Sequence, residues 1–345
     1  MAAGTSTGFG YDAVIVGDEQ PGKRATLQDV ARLAGVSHQT VSRAINDKGE
    51  IDPQTRRRVL DAARRLHYRP SRFARGLVRQ DTTTIGLVVP DVVNPFFPEL
   101  IAGVLDAAAQ RNWQVLISSS QNDPGREPDL LRALAAEVDA LICYLFQRDD
   151  VIAAAVGGVP LVVMSRLSQE PAFGAVDIDT RSGIRAAVRH LQARGHRRIG
   201  MIDCPDAADQ SRRAAFLAEA AASGLTIGDH AIVDADQSIA GGQDGFTRLY
   251  DLRPDLTAVF AFNDLVALGV HRAARRLGRS IPGDLALIGF DGLSMGELID
   301  PPLTTVYLDK RHMGELAVAQ VRALLAGEHP DPAVLRTELL IRESA

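Results

Sequence analysis

The chain has 345 residues, 46% hydrophobic and 23% charged, which allows two or three domains with substantial cores and excludes a fibrous or wholly disordered protein. No apolar run reaches the roughly eighteen residues of a membrane span, and no basic stretch followed by a hydrophobic core opens the chain, so a cytoplasmic protein is expected. The net charge of −5 is unevenly divided: residues 1–20 hold three acids and no Lys or Arg (−3), residues 21–80 hold fourteen Lys/Arg against five Asp/Glu (+9), and residues 81–345 hold twenty-four against thirty-five (−11).

A basic module of some sixty residues joined to an acidic body suits a DNA-binding head on a separate regulatory domain, because phosphate contacts need concentrated positive charge. The two cysteines, Cys143 and Cys204, each sit in or beside an apolar strand-like run and read as buried thiols, not as a disulfide or a zinc site. No metal or other cofactor is expected.

Residues 1–24 are rich in Gly, Ser and Thr and read as a flexible tail. Gly17 to Lys23 matches most of a phosphate-binding loop, but Arg24 stands where a magnesium-holding Ser or Thr is needed, and the helix that follows has another role. Between Thr26 and Arg43, TLQDVARLAGVSHQTVSR sets two short helical patterns about an Ala34-Gly35-Val36 turn, the layout of a helix-turn-helix. Leu27, Val30, Ala31 and Ala34 give the first helix an apolar face, and Val41, Ala44 and Ile45 give one to the second. Ser37 can cap the second helix, so its free face carries His38, Gln39 and Ser42 beside Thr40 and Arg43, side chains sized for base edges and phosphates. A small three-helix domain of any function needs similar turns. Asp52 and Pro53 open a third helix to about His67. Residues 71–79 are a basic segment with helical spacing but little apolar surface, marginal as a lone helix, and Asp81 to Thr84 form a polar linker.

From Ile85 onward strand-like runs alternate with helical patterns. IGLVVP, WQVLISSS, ALICYLF and PLVVMS make one series, and AVDID, RRIGMID, HAIVDA, AVFAFN and LALIGFD a second. Such alternation means parallel sheets covered on both faces, here as two doubly wound α/β subdomains. Ligands bind such sheets at the carboxyl ends of the strands, which places a site in the cleft between the subdomains. Trp113, at a strand start, is assigned to packing away from that cleft. GxGxxG and HExxH motifs are missing, so an enzyme is not expected. The basic head argues against a solute-binding protein, which the body alone would suggest.

TLQDVARLAGVSHQTVSRAIN, TRRRVLDAARRLHYRPSRFARGL, IGLVVPDVVNPFFPELIAGV, HLQARGHRRIG, FAFNDLVALGV, LALIGFDG and PPLTTVYLD occur in this order, and over residues 25–343 the chain closely resembles the lactose-repressor/galactose-repressor family of bacterial transcription regulators. The resemblance implies a small all-α helix-turn-helix domain (25–70), a hinge helix and linker (71–84), and a periplasmic-binding-protein-like effector and dimerisation domain (85–345). The first subdomain of that body would span about 85–176 and 307–330, the second about 177–306 and 331–345. It implies a repressor that binds a pseudo-palindromic operator as a homodimer, in double-stranded DNA, under control of a small-molecule effector. The effector would be sugar-like or nucleobase-like; control by a protein partner, or no effector at all, is the alternative. No partner at a membrane is expected.

Carried over position by position, the DNA-binding set is Thr26, Ser37, His38, Gln39, Thr40, Ser42, Arg43, Asn46, Tyr68, Arg72, Ala74 and Leu77. Leu77 would be the hinge-helix wedge in the central minor groove, against the alternative of packing on its own domain. The effector-binding set is Asp91, Phe96, Phe97, Arg166, Arg212, Asn263 and Asp291, where an aromatic ring can stack on a ligand face and an Arg and a carboxylate can clamp polar edges. For the polar members, packing or helix capping is the other reading. The sequence departs from the family at Ala215, which replaces a usual glycine, in the short acidic segment 203–210, and in extra residues SIAGGQDG before Phe246. These changes are expected to alter the cleft. No heptad-bearing tail follows Arg342, so a dimer is expected, not a tetramer.

Overall fold

The structure, a computed structural model, describes residues 26–45, 51–66, 82–205 and 211–345. The chain divides into two compact units, residues 1–81 and 82–345.

In the first unit each helix begins on a side-chain cap. Thr26 Oγ1 accepts from the Asp29 N–H at 3.3 Å while the Asp29 carboxylate accepts from the Thr26 N–H at 2.8 Å, a reciprocal capping box that starts α1 (Leu27–Ala34). Gly35, at φ +63°, ends that helix in the left-handed region. Ser37 Oγ accepts from the Thr40 N–H at 3.1 Å and starts α2 (His38–Ile45). Asp52 accepts from both the N–H (2.9 Å) and the hydroxyl (3.0 Å) of Thr55 at the head of α3 (Pro53–Arg65), and these bonds hold its carboxyl below the usual range. Val30, Val41 and Val59 are fully buried and, with Ala31, Ala34, Ala44 and Ala62, close a core too small to tolerate much truncation.

The second unit holds two six-stranded sheets. The first sheet contains β1 (Thr84–Val89), β2 (Gln114–Ser119), β3 (Ala140–Cys143), β4 (Leu161–Met164), β5 (Phe173–Ile178) and β11 (Ala333–Leu335), all parallel, in the order β11-β5-β4-β3-β1-β2. Its helices are α4 (Phe96–Ala109), α5 (Glu127–Ala135), α6 (Asp149–Val156) and α11 (Lys310–Leu325). Ile85, Leu87 and Val89 enter one core, and the alternate Val88 enters another with Leu141, Cys143 and Val163, so both faces are covered, as a parallel sheet requires. The second sheet contains β6 (Ile199–Asp203), β7 (Ile232–Asp234), β8 (Ala258–Ala261), β9 (Ala286–Asp291), β10 (Thr304–Leu308) and β12 (Thr337–Leu340), in the order β12-β10-β9-β8-β6-β7. It is parallel except for the β10–β12 pair. Its helices are α7 (Thr180–Ala193), α8 (Ser211–Ala222), α9 (Ile239–Leu252) and α10 (Asp264–Arg276).

The chain crosses between the subdomains near residues 179, 309 and 336, and the crossings are tied together. The Asp179 N–H donates to the Leu335 carbonyl at 2.8 Å, and the Thr337 hydroxyl donates to the Asp179 carbonyl at 2.7 Å. Asp179 and Asp309 cap the helices that leave the first two crossings. This moves the subdomain boundaries expected from sequence. AVDID opens no second series; β5 pairs with β4 without an intervening helix, and Ala175, Val176 and Ile178 are buried with the first subdomain. Likewise β10 keeps Tyr307 and Leu308 in the second sheet, and Ala333–Leu335 returns to the first sheet beside β5. Helix–strand alternation cannot reveal which sheet a short strand joins, because partner choice is made by distant chain.

Candidate functional site

In the first unit, Val41 and Ala44 bury one face of α2, while Ser37, His38, Gln39 and Arg43 are exposed and Thr40 and Ser42 are half-buried. The Thr40 hydroxyl lies 2.9 Å from Ser37 Oγ, so those two hydroxyls shape the cap, as Thr26 does for α1. His38, Gln39 and Arg43 thus form an outward polar face carrying amide, imidazole and guanidinium groups. Asn46, Tyr68, Arg72, Ala74 and Leu77 lie outside the described residues, as do the tail and the hinge segment.

In the second unit a narrow cavity opens between the subdomains, lined by Pro90, Asn94, Phe96, Phe97, Asn122, Tyr144, Phe146, Arg212, Gln237, Phe262 and Asp291. Nearly all of these follow a strand's carboxyl end, the place where a parallel sheet presents loops to a ligand. On the first subdomain Phe96, Phe97 and Tyr144 pack edge to face, with centroids 5.1–6.1 Å apart. The Tyr144 hydroxyl donates to Ser165 Oγ at 3.0 Å. Phe146 is fixed from behind: Glu127, fully buried, accepts from the Phe146 N–H at 3.1 Å and the Gln147 N–H at 3.0 Å, and burial pushes its carboxyl above the ordinary range.

On the second subdomain Arg212 is nearly fully buried, its guanidinium 4.3 Å from the Phe262 ring centroid and 3.9 Å from that of Phe290. It donates to the Phe262 carbonyl at 2.6 Å and reaches Asp291 Oδ1 at 3.4 Å. Asp291 adopts φ +110°, a costly conformation for a residue with a side chain, and its carbonyl accepts from Lys310 Nζ at 2.8 Å. Lys310 has no exposed side chain; it also donates to the carbonyls of Leu308 and Gly292 and pairs with Glu99 at 3.4 Å. Behind Asp291, Asp264 accepts from the Thr305 hydroxyl and the Leu293 N–H, both at 2.6 Å. Burial, and then the Asp291 charge, push the Asp264 carboxyl up to about 7. Gly289 leaves room for that carboxyl, since a Cβ there would meet Asp264 Oδ1 at 2.2 Å.

Phe96, Phe97, Arg212 and Asp291 are therefore brought together as expected, whereas three other residues of the expected set stand apart. Asp91 is half-buried and accepts from the Val93 N–H at 2.8 Å, ordering the turn after β1. Arg166 lines an adjoining cavity and pairs with Asp149 at 2.5 Å. Asn263 is fully buried and caps α10 through the Val266 N–H; its Nδ2 has no hydrogen-bond partner among the described residues. Sequence reading missed Asn94, Asn122, Tyr144, Phe146, Gln237 and Phe262, although their place just after strands was a usable signal. Its concern with SIAGGQDG is corrected: Ser238 caps α9, and the residues after it begin that helix, packed backbone to backbone on α10, where a Cβ at Gly242 would meet the Val266 carbonyl at 2.2 Å. Ala215 lines the adjoining cavity, not this one. Trp113 is half-buried against the first subdomain's core. Cys143 and Cys204 are buried thiols; burial pushes Cys204 up to about 12. Among the described residues no His, Cys, Asp and Glu cluster could hold a metal.

A model of bacterial regulatory proteins of the lacI family matches residues 26–71, and one of a periplasmic binding protein-like domain matches residues 188–345. The HTH-type transcriptional repressor PurR of Photobacterium profundum is 30% identical over 329 residues, covering 93% of this chain and 98% of that protein. Among solved structures, a transcriptional regulator CelR–cellobiose complex is 32% identical with a TM-score of 0.69, covering 93% of this chain and all of that one. A lac repressor dimer bound to operator and an anti-inducer is 26% identical with a TM-score of 0.72, covering 93% of this chain and 99% of that one. With its capped helix-turn-helix and two-sheet body, the chain belongs to the lacI family of bacterial regulatory proteins, DNA-binding regulators of transcription and not enzymes.

Proposed function

We propose that this protein is a repressor that binds a pseudo-palindromic operator as a homodimer and that a small molecule in the cleft changes that affinity. The observation that carries the reading is the buried Arg212–Asp291 pair facing aromatic rings across a cavity between the subdomains. Polar groups set in apolar surroundings are the usual makings of a ligand site. On the DNA side, Gln39 can bond an adenine edge bidentately, Arg43 can reach phosphate or guanine, and His38 and Ser42 complete the base-facing set. Asn46, Tyr68, Arg72, Ala74 and Leu77 join it by position in the family pattern, with Leu77 as the minor-groove wedge.

Control follows if the ligand binds one arrangement of the two subdomains better than the other; the tied crossings near residues 179, 309 and 336 are the elements about which they would turn. The homodimer is supported by large apolar side chains turned to solvent on each subdomain, Val93 at 82% and Leu298 at 86% exposed, which a second copy would cover. Work on chromosomal operators puts the protein in the cytoplasm, and no described helix is long and apolar enough to cross a membrane.

The test is a titration of the intact protein on DNA from upstream of its own gene at several salt concentrations, beside a version lacking residues 1–81. Selective binding that falls steeply with salt and vanishes in the truncated form is the expected outcome. Equal binding to operator-like and unrelated DNA, or retention by the truncated form, would sink the proposal.

A further inference from the structure

The body is acidic as a whole, with twenty-four Lys/Arg against thirty-five Asp/Glu over residues 81–345, yet residues 180–198 hold six arginines and no acid. That run is α7 and the loop that leads into β6. Arg181, Arg185 and Arg189 recur every four residues, so they stand in one row along the helix, about 12 Å long at 1.5 Å per residue. Arg194, Arg197 and Arg198, all exposed, carry the charge past its end. Like charges four apart weaken a helix, and little here relieves them. Glu219 of α8, itself buried, accepts from Arg181 Nε at 2.5 Å and from Arg185 Nε at 3.0 Å, which fixes two guanidiniums whose side chains stay 63% and 40% exposed. Arg198 turns to Asp255. Among the described residues no carboxylate pairs with Arg189, Arg194 or Arg197.

Charge alone would suit any polyanion, but the neighbouring helix narrows the class. α7 and α8 lie side by side, joined by the Glu219 pairs and by Gln192 Nε2, which donates to the Ser223 carbonyl at 2.6 Å. Beside the arginine row, α8 turns Ala214, Leu217, Ala218 and Ala221 to solvent, a strip without charge on which Leu217 is 40% exposed. At its amino end the strip reaches the adjoining cavity, where Ala214 and Ala218 share the lining with the exposed Leu167 and Val334. A surface helix ordinarily gives its outer face to charged and polar groups, and a contiguous apolar strip marks a contact. A phosphate backbone has nothing apolar to lay on such a strip. A helix with one acidic and one apolar side matches both halves: small side chains let it approach α8 closely, and carboxylates at its own four-residue spacing meet the arginines. We propose that the joined face of α7 and α8 docks an acidic amphipathic helix of another protein, with its carboxylates on Arg181, Arg185 and Arg189 and its apolar side on Leu217 and the alanines of α8. Neither the arginine row nor this strip lines the cleft, so docking here does not depend on what the cleft binds.

The experiment titrates the full-length protein into fluorescent probes and follows anisotropy. The probes are a Leu/Glu amphipathic helical peptide of about twenty residues, a peptide of the same composition in scrambled order, and a short DNA duplex of unrelated sequence. The ordered peptide is expected to bind saturably and about tenfold or more tighter than the scrambled one, and to lose about tenfold or more on Arg189→Glu and on Leu217→Glu. Both positions are exposed, so each variant should melt as the native protein does and bind the duplex equally well. Arg189→Gln and Leu217→Gln, with smaller losses expected, decide the matter if a charged replacement unfolds the domain. Equal binding of the two peptides overturns the proposal, as does binding that neither substitution weakens, which is what capture by the basic helix-turn-helix unit would give. Duplex binding that falls on Arg189→Glu while the ordered peptide shows no preference assigns the row to DNA, and a change in the sedimentation of the protein alone on Arg189→Glu assigns it to a second copy of this chain; either result also overturns the proposal.

Discussion

The two walls of the cleft solve the problem of burial in opposite ways. The first subdomain supplies Phe96, Phe97 and Tyr144, rings packed edge to face on one another, with Phe146 beside them in the lining; each edge-to-face pair adds about 0.5–1.5 kcal/mol beyond its buried area. The second subdomain buries Arg212, Asp291 and Asp264, and Lys310 reaches Asp291 from the head of α11 in the first subdomain; each carries a desolvation penalty of several kcal/mol if ionised and is held only by its neighbours. The aromatic wall can change its exposure at modest cost, whereas the charged wall is stable in one arrangement and fails if any member leaves. Response to a ligand therefore belongs to the aromatic side, and fixed geometry to the charged side.

The sharpest way to break the contrast is Arg212→Ala. It leaves the Asp291 carboxyl without its guanidinium and empties the space between Phe262 and Phe290. Loss of one partner of a buried charge pair costs about 3–5 kcal/mol. Urea unfolding of the second unit should report a loss of that size; a change below about 1 kcal/mol would mean the charged wall is held by packing, not by its charges.

How much of this was legible in the sequence differs between the two units. The caps at Thr26, Ser37 and Asp52 are local, three-residue arrangements, and sequence reading located all three helix starts. In the body, Arg212 and Asp291 were legible because whole motifs carried them. Their dependence on Lys310, and the role of Glu127 behind Phe146, were not, since those contacts join residues 19 apart in sequence and carry no periodicity. The sheet membership of β11 was missed for the same reason, since its partner β5 lies more than 150 residues away; β5 was misassigned although its partner β4 directly precedes it in the chain.

A second prediction separates the walls by pH. The folded protein keeps the Asp264 proton up to about pH 7, while the unfolded chain releases it near the ordinary value of 3.8. Between those values the unfolded state binds fewer protons, so this group makes stability fall as pH rises and then level off above about 7. Because each tenfold change in proton affinity is worth about 1.4 kcal/mol, the effect amounts to roughly 2–4 kcal/mol across the window. Asp264→Asn should remove that slope when unfolding free energies of variant and native protein are compared from pH 4.5 to 8. Parallel curves would show that Asp264 is ionised throughout. Glu127, behind the aromatic wall, is also raised by burial, so its own slope of the same sign remains in the Asp264→Asn variant.

The smallest effect sharpens the contrast from the other side. Glu127→Ala leaves the Phe146 and Gln147 N–H groups without their buried acceptor, which costs about 1–3 kcal/mol, less than the loss at Arg212 because the donors are backbone groups that water can reach once the loop shifts. Its larger consequence is positional: Phe146 would no longer be held at the mouth of the cleft. Affinity for any cleft ligand should therefore fall more than stability does, measured by calorimetric titration with sugar probes such as cellobiose, while Glu127→Gln, whose carbonyl still accepts, should restore most of it. Equal losses of affinity in the two variants would mean that the charge of Glu127, not its grip on the loop, shapes the aromatic wall.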